Sequence, residues 1–156
     1  MRVWRLAVGP HREIDGEGSR IYGGRWNSPG VPVVYTATHV SLALLEQLVH
    51  VDPEDLPDAF RAFVIDLPDD TVTEVVAQII RRGDAEMRRR YGDEWAGSRR
   101  SAALVVPSTL VAARLPPGTI ETEERNVLLN PRHASAGAWR VAETSFTVDA
   151  RLKRTG

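Results

Sequence analysis

The stretch Gly23–Glu46, GGRWNSPGVPVVYTATHVSLALLE, constrains the fold more than any other part of the chain. Its first residues are rich in glycine and proline, which favour tight or left-handed turns and let a ligand approach the backbone closely. The β-branched run from Val31 to Thr36 then predicts a short strand. Because proline cannot donate a ladder hydrogen bond, Pro32 indicates that this strand begins after it or lies at a sheet edge.

A leucine-rich helix is predicted directly after this strand. Thr38 or Ser41 is a suitable N-cap, and the helix should run to about Val49. At about 100° per residue its leucines cover a broad arc, so we expect the helix to be largely buried. Glu46 lies at the border of that arc. The stretch therefore predicts a turn, a strand and a buried helix in immediate succession, with one carboxylate at the helix border.

The remainder of the chain predicts further strands and one more helical region. Apolar runs or alternation typical of strands occur in residues 2–8, 60–67, 71–76, 100–106, 126–129 and 140–148. Residues 9–20 are predicted to be loop, and residues 77–97 to be helical in part. We find no repeat and no linker long enough to divide the chain. The prediction is one α+β domain with a mainly antiparallel or mixed sheet.

Composition limits the classes of protein to which the chain can belong. Its 156 residues suit one domain, and no apolar run approaches the roughly 18–20 residues of a membrane span. The absence of cysteine excludes disulfides and thiolate metal sites, and it makes a cytoplasmic protein the default expectation. A net charge of −1 argues against nucleic-acid binding driven by bulk electrostatics.

Motif searches exclude several common chemistries. The chain has no phosphate-loop GxxxxGK[ST], no GxGxxG after a strand and no GxSxG elbow around Ser108. His39 and His50 are eleven residues apart, which places them roughly 16 Å apart along a helix and too far apart to share one ion. We therefore predict no metal site.

Three side chains within Gly23–Glu46 are candidates for a functional site. An arginine in a structured turn, such as Arg25, can bind a phosphate through two parallel hydrogen bonds or can simply be exposed. Tyr35 is either a half-buried core tyrosine or a ligand contact. Glu46 either pairs with an arginine or with His50, or it faces a cleft and acts on a cation, because carboxylates seldom border an apolar face without a partner.

Two polar residues outside that stretch are further candidates. Ser108 follows Pro107 at the end of a predicted strand, where a hydroxyl commonly caps a turn. Asn126, in EERNVLLNP, is either a turn residue or a polar anchor that faces the same pocket. The arginines at 88–90 and 99–100 have acidic neighbours, so we predict a solvated helix face rather than a nucleic-acid contact.

The motifs of the chain resemble those of the RES domain, the toxin half of bacterial RES–Xre toxin–antitoxin pairs. The resemblance rests on GGRWNSPGVPVVYTATHVSLALLEQLVH, on SAALVVPS after Trp95, on NVLLNPRH and on the closing FTVDARL. These motifs occur in the family's order, so residues 1–156 are expected to form one RES domain with a core from about Val3 to Leu152. Ala150 stands where family members often have a proline.

The resemblance implies a fold related to ADP-ribosyltransferases, with a split mixed or antiparallel sheet and flanking helices, and an activity that consumes NAD. The arginine, glutamate and serine after which the family is named correspond to Arg25, Glu46 and Ser108. Tyr35 matches a further site tyrosine, and Asn126 lies in the matching NxLLNP segment. The resemblance thus implies catalytic roles for Arg25, Tyr35, Glu46 and Ser108, and NAD contacts for Arg25, Tyr35, Ser108 and Asn126.

The reaction implied by this resemblance is cleavage of the nicotinamide–ribose bond by an NAD glycohydrolase or phosphorylase, with water or inorganic phosphate as acceptor and no further cofactor. A protein ADP-ribosyltransferase is one alternative, and a non-catalytic or RNA-interacting growth-inhibitory module is another. The expected partner is a cognate Xre-like helix-turn-helix antitoxin that covers the active-site cleft, with dimerisation within the complex. Direct binding to nucleic acid or to a membrane is not expected.

Overall fold

A computed structural model of the chain describes residues 1–8, 14–71, 73–76, 84–111, 114 and 123–153. Within these residues, seven strands form one sheet and three α-helices accompany it. The strands are β1 (Arg2–Ala7), β2 (Val34–Ala37), β3 (Ala59–Asp66), β4 (Thr73–Val75), β5 (Ala103–Pro107), β6 (Arg125–Leu129) and β7 (Arg140–Thr147). The helices are α1 (Glu17–Tyr22), α2 (Val40–Leu48) and α3 (Ala85–Ser98). Short 3₁₀ helices cover Pro53–Asp55, Ala136–Ala138 and Ala150–Lys153.

The sheet has the strand order β4-β5-β6-β2-β1-β3-β7. The pair β4–β5 is parallel, and the other neighbouring pairs are antiparallel. The strands β1 and β3 pair over six residues, whereas β1 and β2 are joined only where Trp4 faces Ala37. The sheet is therefore split between β1 and β2, and the two parts diverge from this single pairing.

Apolar side chains pack on both faces of the sheet, because successive residues of a strand point to opposite faces. One face carries the cluster Val3, Val34, Phe63, Ile65, Leu67, Ala103, Val127 and Leu129. On the opposite face, α2 packs on β1 and β2, and the cluster there contains Leu6, Ala37, Leu42, Ala43, Phe60 and Ala62. On that same face, α3 packs on β5 and β6 through Trp95, Ala96, Leu104, Val106 and Leu128. The two helices α2 and α3 therefore cover the same face of the sheet over different strands.

The predicted α+β class and the mixed, mainly antiparallel sheet are confirmed. Each predicted strand is present, with ends that differ from the prediction by a few residues. The strand after the turn begins at Val34, after Pro32, as the lack of a proline N–H requires. The helical prediction for residues 77–97 is confirmed over 85–97 of its range, while residues 77–83 lie outside the described residues.

Two local predictions are wrong. Residues 17–20 belong to α1 rather than to a loop, and residues 9–13 are outside the described part of the chain. The N-cap of α2 is His39, whose side chain makes no capping hydrogen bond. The hydroxyl of Thr38 instead accepts a hydrogen bond from the backbone N–H of Arg125 at 3.0 Å. The Thr38 side chain, which was predicted to cap α2, therefore bonds to β6 instead.

The expected burial of α2 is also wrong in part. Leu42 and Ala43 are buried against the sheet, but Leu45 is 42% exposed and Val49, directly after the helix, is 53% exposed. The sheet covers only one side of the helix, the side on which Leu42 and Ala43 face β1 and β2. None of the described helices is long and apolar enough to cross a membrane.

Candidate active site

A cavity of about 860 Å³ lies at the split between β1 and β2. Each of these strands contributes three consecutive residues to its lining, Trp4–Leu6 and Tyr35–Ala37. Because consecutive strand residues point to opposite faces, the cavity extends into the gap between the two strands. Its volume lies in the upper part of the range of about 300–1,000 Å³ that is usual for small-molecule and cofactor sites. The split in the sheet therefore creates this concavity.

Two walls flank this gap. The turn wall is the segment Gly23–Val33, which leads from α1 to β2. The helix wall consists of four residues on α2 and just after it, namely Ala43, Glu46, Gln47 and His50. Their spacing of i, i+3, i+4 and i+7 puts all four on one helical face. The fold thus brings Arg25 of the turn wall and Glu46 of the helix wall to the same cavity.

Glu46 is partly buried, and neighbouring side chains hold one of its two carboxylate oxygens. Its Oε1 accepts a hydrogen bond from Asn126 Nδ2 at 2.7 Å and a longer one from Ser108 Oγ at 3.5 Å. Among the described residues, no hydrogen bond occupies Oε2. The carboxylate is therefore oriented through one oxygen while the other remains available to a ligand in the cavity.

The register of β5 and β6 explains why Asn126 and Ser108 meet at Glu46. Val106 faces Asn126 across the two strands, so the residue that follows β5 lies beside the start of β6. Ser108 is fully buried, and its Oγ also accepts hydrogen bonds from the backbone N–H groups of Leu110 at 3.1 Å and Val111 at 3.3 Å. Asn126 lines the cavity, whereas Ser108 supports Glu46 from beneath.

Arg25 is exposed at the edge of the cavity, where its Nη1 donates a hydrogen bond to Thr109 Oγ1. Thr109 follows β5, so this contact links the turn wall to the strand that supports Glu46. Within the described residues, no ion pair joins Glu46 to Arg25 or to His50. The alternative that Glu46 pairs with an arginine or with His50 is therefore wrong. The Arg25 guanidinium keeps N–H donors that are available to an anion.

The hydroxyl of Tyr35 is engaged by the turn wall. It donates to Asn27 Oδ1 at 2.7 Å and accepts from the backbone N–H of Trp26 at 3.0 Å. Burial is the main cause that raises the pKa of Tyr35 to about 12, so the phenol is neutral at physiological pH. A side chain at Gly24 would collide with this hydroxyl, because its Cβ would lie 2.4 Å from the oxygen. Tyr35 therefore contributes its ring to the cavity lining while its hydroxyl fixes the turn.

Asn27 is the organising residue of the turn wall, and the sequence predictions missed it. It is fully buried, and its Nδ2 donates to the carbonyls of Ser19 at 2.9 Å and Val31 at 2.8 Å. Together with the bond to Tyr35, these contacts join the end of α1, the turn and β2. The only sequence signal was a polar residue between Trp26 and a Ser-Pro-Gly turn, which equally suits an exposed loop.

The helix α3 fixes the outer side of the turn wall. Asp93 Oδ1 accepts a hydrogen bond from the backbone N–H of Ser28 at 2.8 Å. Gly92 packs so closely on the turn that a Cβ there would lie 1.7 Å from the carbonyl oxygen of Trp26. Gly23 and Gly30 have φ values of 71° and 99°, which confirms the prediction of left-handed turn positions.

Arg5 is a second cavity residue that the sequence predictions missed. It lies in the middle of β1, is partly buried, and its Nη1 donates to the carbonyl oxygen of Tyr35 at 3.2 Å. Burial lowers the pKa of the Arg5 guanidinium, and the negative charge of Asp15 opposes that shift. The alternating pattern of β1 did not indicate that Arg5 lines a cavity, because its position there depends on the gap between β1 and β2.

Within the described residues, no group of three or more histidine or acidic side chains is placed to hold a metal ion. The cavity lining offers two guanidinium groups, the oriented carboxylate of Glu46, two further carboxylates (Asp15 and Glu17), the imidazole of His50, two amides and aromatic surfaces. This set suits an anionic ligand that develops positive charge beside a carboxylate.

Comparison with known proteins identifies the family. The family model for the RES domain matches residues 2–151. The chain belongs to the RES domain family. Toxin Res of Pseudomonas putida strain KT2440 is 35% identical to this RES-family chain over 157 residues, which cover 97% of the chain and 99% of that protein. The resemblance drawn from the sequence motifs is confirmed.

Two further relatives carry more specific names. The Prs ADP-ribosylating toxin of Sphingobium sp. strain YBL2 is 35% identical, over 85% of the RES-family chain and 84% of that protein. The NAD(+) phosphorylase MbcT of Mycobacterium tuberculosis strain H37Rv is 33% identical over 99 residues, which are 58% of the chain and 53% of that protein.

A solved structure shares the fold. The crystal structure of the M. tuberculosis MbcT–MbcA toxin–antitoxin complex contains a chain that matches with a TM-score of 0.68, at 20% identity over 97% of the RES-family chain and 86% of the matched chain. At this identity the match supports the fold alone.

Proposed function

We propose that this protein is the toxin of a toxin–antitoxin pair and that it depletes NAD by cleaving the nicotinamide–ribose bond. The observation that carries the proposal is the Glu46 carboxylate at the cavity, held through Oε1 by Asn126 and bonded by no described residue at Oε2. A fixed carboxylate with one available oxygen is suited to a substrate that becomes cationic at its ribose. The names of the relatives point in the same direction, since two of them act on NAD or transfer ADP-ribose.

The proposed reaction breaks the bond between ribose C1′ and the ring nitrogen of nicotinamide. The bonding electron pair leaves with the nitrogen, so the positively charged pyridinium becomes neutral nicotinamide and the positive charge moves to C1′ and the ring oxygen. A carboxylate beside that centre stabilises the transition state more than the ground state. Because the leaving group is neutral, no side chain has to protonate it.

The other predicted site residues take supporting roles in this proposal. Arg25 binds a phosphate oxyanion at the rim of the cavity through the donors that Thr109 does not use. The ring of Tyr35 contacts the nicotinamide or the ribose, while its hydroxyl stays bonded to the turn wall. Asn126 orients Glu46 and reaches the cavity, and Ser108 supports the same carboxylate from a buried position.

The acceptor of the ADP-ribosyl group distinguishes three activities. Attack by water on C1′ releases a proton and gives ADP-ribose. Attack by an inorganic phosphate oxygen gives ADP-ribose 1″-phosphate, and the name of the M. tuberculosis relative favours this product. Attack by a protein side chain is the second candidate, favoured by the name of the Sphingobium relative. The exposed rim at Arg25 leaves room for an acceptor, so we propose phosphate first, with no other cofactor.

An antitoxin that covers the cavity is the proposed partner, by analogy with the MbcT–MbcA complex. The surface beside the cavity supports it: Tyr22 is 77% exposed on α1, while Leu45 and Val49 are exposed beside the helix wall. Apolar side chains on both sides of a cleft are typical of an interaction surface. We propose an Xre-like helix-turn-helix partner, a dimer within the complex and a cytoplasmic location, where NAD is available.

The direct test incubates purified protein with NAD, with and without inorganic phosphate, and measures nicotinamide and the ADP-ribosyl product by chromatography. We expect nicotinamide release, with ADP-ribose 1″-phosphate when phosphate is present. The Glu46→Gln variant should release nicotinamide about 10²–10³-fold more slowly. Glu143→Gln serves as matched control because Glu143 is an exposed partner of Arg61 outside the cavity. If neither condition releases nicotinamide and no protein acquires label from labelled NAD, the proposal is wrong.

A further inference from the structure

Tyr22 lines the cavity, but the proposed reaction assigns it no role. It is the last residue of α1 and is 77% exposed. The hydroxyls of the other two tyrosines of the chain have partners: that of Tyr35 bonds the turn wall, and that of Tyr91 donates to Glu74. Among the described residues, none forms a hydrogen bond with the hydroxyl of Tyr22. Its aromatic ring is therefore available to a ligand in the cavity.

The short segment after Tyr22 connects this ring to the proposed phosphate ligand Arg25. Only Gly23 and Gly24 separate the two residues, and all four line the cavity. Gly23 ends α1 with a φ of 71°, so the backbone turns into the turn wall directly after the tyrosine. Three residues span at most about 11 Å, which is the scale of one nucleoside. A ligand whose phosphate contacts Arg25 can thus place a base against Tyr22.

The charge at the α1 end of the cavity favours a neutral group over a phosphate. Asp15 and Glu17 both belong to the lining there. Glu17 is paired with Arg20, whereas no described residue forms an ion pair with Asp15, whose Oδ1 accepts the backbone N–H of Glu17 at 2.8 Å. A carboxylate repels a phosphate but accepts hydrogen bonds from a hydroxyl or an amino group. This end of the cavity therefore suits a nucleoside, with its phosphate directed toward Arg25.

We propose that the ring of Tyr22 stacks on the adenine base of NAD at the α1 end of the cavity. The inference rests on the proposed function, because it concerns the same cavity and the same substrate. The nicotinamide ring belongs at Glu46, where the positive charge of the reaction develops, so adenine is the base that remains for Tyr22. Because adenine carries no reacting atom, its stacking contributes binding energy from a remote part of the substrate.

Two other roles for Tyr22 make different predictions. A tyrosine that contacts only the antitoxin has no effect on nucleotide binding by the free toxin. A tyrosine that stacks on nicotinamide has no effect on ADP-ribose, which lacks that ring. Ile21→Ala is the matched control for a loss of side chain on α1, since Ile21 is 44% exposed on the same helix and does not line the cavity.

The experiment measures dissociation constants by calorimetry for ADP-ribose and for ribose 5-phosphate, which lacks the adenosine. We expect Tyr22→Ala to weaken ADP-ribose about fivefold to a hundredfold, the usual effect of losing one stacked aromatic side chain. Ribose 5-phosphate should bind to Tyr22→Ala as it does to wild type. Tyr22→Phe should restore ADP-ribose binding, because it keeps the ring, and Ile21→Ala should bind both probes like wild type.

Four outcomes overturn the inference. They are unchanged ADP-ribose binding by folded Tyr22→Ala, an equal loss for ribose 5-phosphate, loss of ADP-ribose binding in Tyr22→Phe, and wild-type protein that binds ADP-ribose no more tightly than ribose 5-phosphate. If Tyr22→Ala does not fold, the ring-proton resonances of Tyr22 in wild type, assigned by comparison with Tyr22→Phe, must shift upfield on adding ADP-ribose. Unchanged resonances overturn the inference as well.

These measurements are independent of the proposed reaction. Wild-type protein that binds ADP-ribose but releases no nicotinamide from NAD refutes the reaction and leaves the Tyr22 comparison intact. Wild-type protein that releases nicotinamide while Tyr22→Ala binds ADP-ribose normally supports the reaction and refutes the adenine contact.

Discussion

The turn wall and the helix wall hold their polar side chains in opposite ways. In the turn wall, the buried amide of Asn27 bonds to the backbone and to the hydroxyl of Tyr35 on β2, and α3 closes the outside. In the helix wall, Glu46 lies on a helix with an exposed side, and two side chains from strand ends reach one of its oxygens. The polar groups of Asn27 in the turn wall have hydrogen-bond partners, whereas Oε2 of Glu46 in the helix wall has none among the described residues.

The difference indicates which polar groups stabilise the fold and which are available to a ligand. Buried polar groups that satisfy one another fix a backbone in one geometry, and breaking them leaves unpaired groups that cost about 1–3 kcal/mol each. A carboxylate with an available oxygen contributes less to the stability of the fold and can instead stabilise a bound cation. We therefore expect substitutions in the turn wall to reduce the free energy of unfolding, and substitutions around Glu46 to reduce activity.

The largest effect on stability should come from Gly92→Ala. The added Cβ would lie 1.7 Å from the carbonyl oxygen of Trp26, a backbone atom that can move only if the turn wall moves. We expect a loss of about 3 kcal/mol or more in the free energy of unfolding, measured by urea denaturation. Gly97→Ala is the matched control on the same helix, because its Cβ would meet nothing within 4 Å and alanine should stabilise the helix. Equal stability of both variants would contradict the close contact.

The largest effect on activity should come from Glu46→Gln. It preserves the shape of the side chain but removes the charge that faces the cavity, so we expect the kcat for nicotinamide release to fall about 10²–10³-fold. The melting temperature should change little, since the helix is partly exposed and the carboxamide oxygen can still accept from Asn126. A near-normal kcat, or unfolding of the variant, would contradict the expectation that Glu46 serves activity rather than stability.

A smaller effect separates the two supports of Glu46. Asn126 donates at 2.7 Å and Ser108 at 3.5 Å, so Asn126→Ala should reduce kcat roughly tenfold or more and Ser108→Ala only a few-fold. Ser108→Ala should instead lower the free energy of unfolding by about 1 kcal/mol, because two backbone N–H groups lose their acceptor. Steady-state kinetics and denaturation of both variants provide the measurement. The reverse order of kcat would show that Ser108 contacts the substrate directly.

The smallest effect on activity should come from Tyr35→Phe, because this variant keeps the ring that lines the cavity. It loses only the hydroxyl bonds to Asn27 and Trp26. We expect the free energy of unfolding to fall by about 1–2 kcal/mol at neutral pH, measured by urea denaturation. The neutral phenol is the form that the fold favours, since its pKa rises from 10.0 to about 12. The stability difference between wild type and Tyr35→Phe should thus be constant below pH 10 and shrink as the pH rises toward 12. A difference that already shrinks near pH 8 would contradict a buried, bonded hydroxyl.

Much of the fold follows from the sequence because local patterns determine it. Alternation in β3 and β7 and the β-branched run before Tyr35 indicate strands wherever they occur, and the structure confirms them. The short helix α1 escaped prediction because its six residues contain Gly18 and follow Gly16, both of which favour a loop. The overestimated burial of α2 has a different cause, since a broad leucine arc shows what a helix can bury and not how much sheet lies beneath it.

The candidate site was predictable only in part. The family resemblance supplied Arg25, Tyr35, Glu46, Ser108 and Asn126, and the fold gathers them around one cavity or directly beneath it. The catalytic roles of these residues remain predictions. Asn27 and Arg5 were missed because their places at the site depend on contacts between distant segments, such as the single pairing of Trp4 with Ala37 beside the gap. A pattern within a window of neighbouring residues contains no record of such a contact.

The split between β1 and β2 also has a mechanical consequence. A continuous sheet resists bending because each strand is joined to its neighbour along its length, whereas here one pairing connects the two parts. We therefore expect the sheet to bend more easily along the line through Trp4 and Ala37 than between strands that are paired along their length. A ligand that contacts both strands acts as a brace across this axis, so that filling the cavity stiffens the domain where its own backbone leaves it weakest.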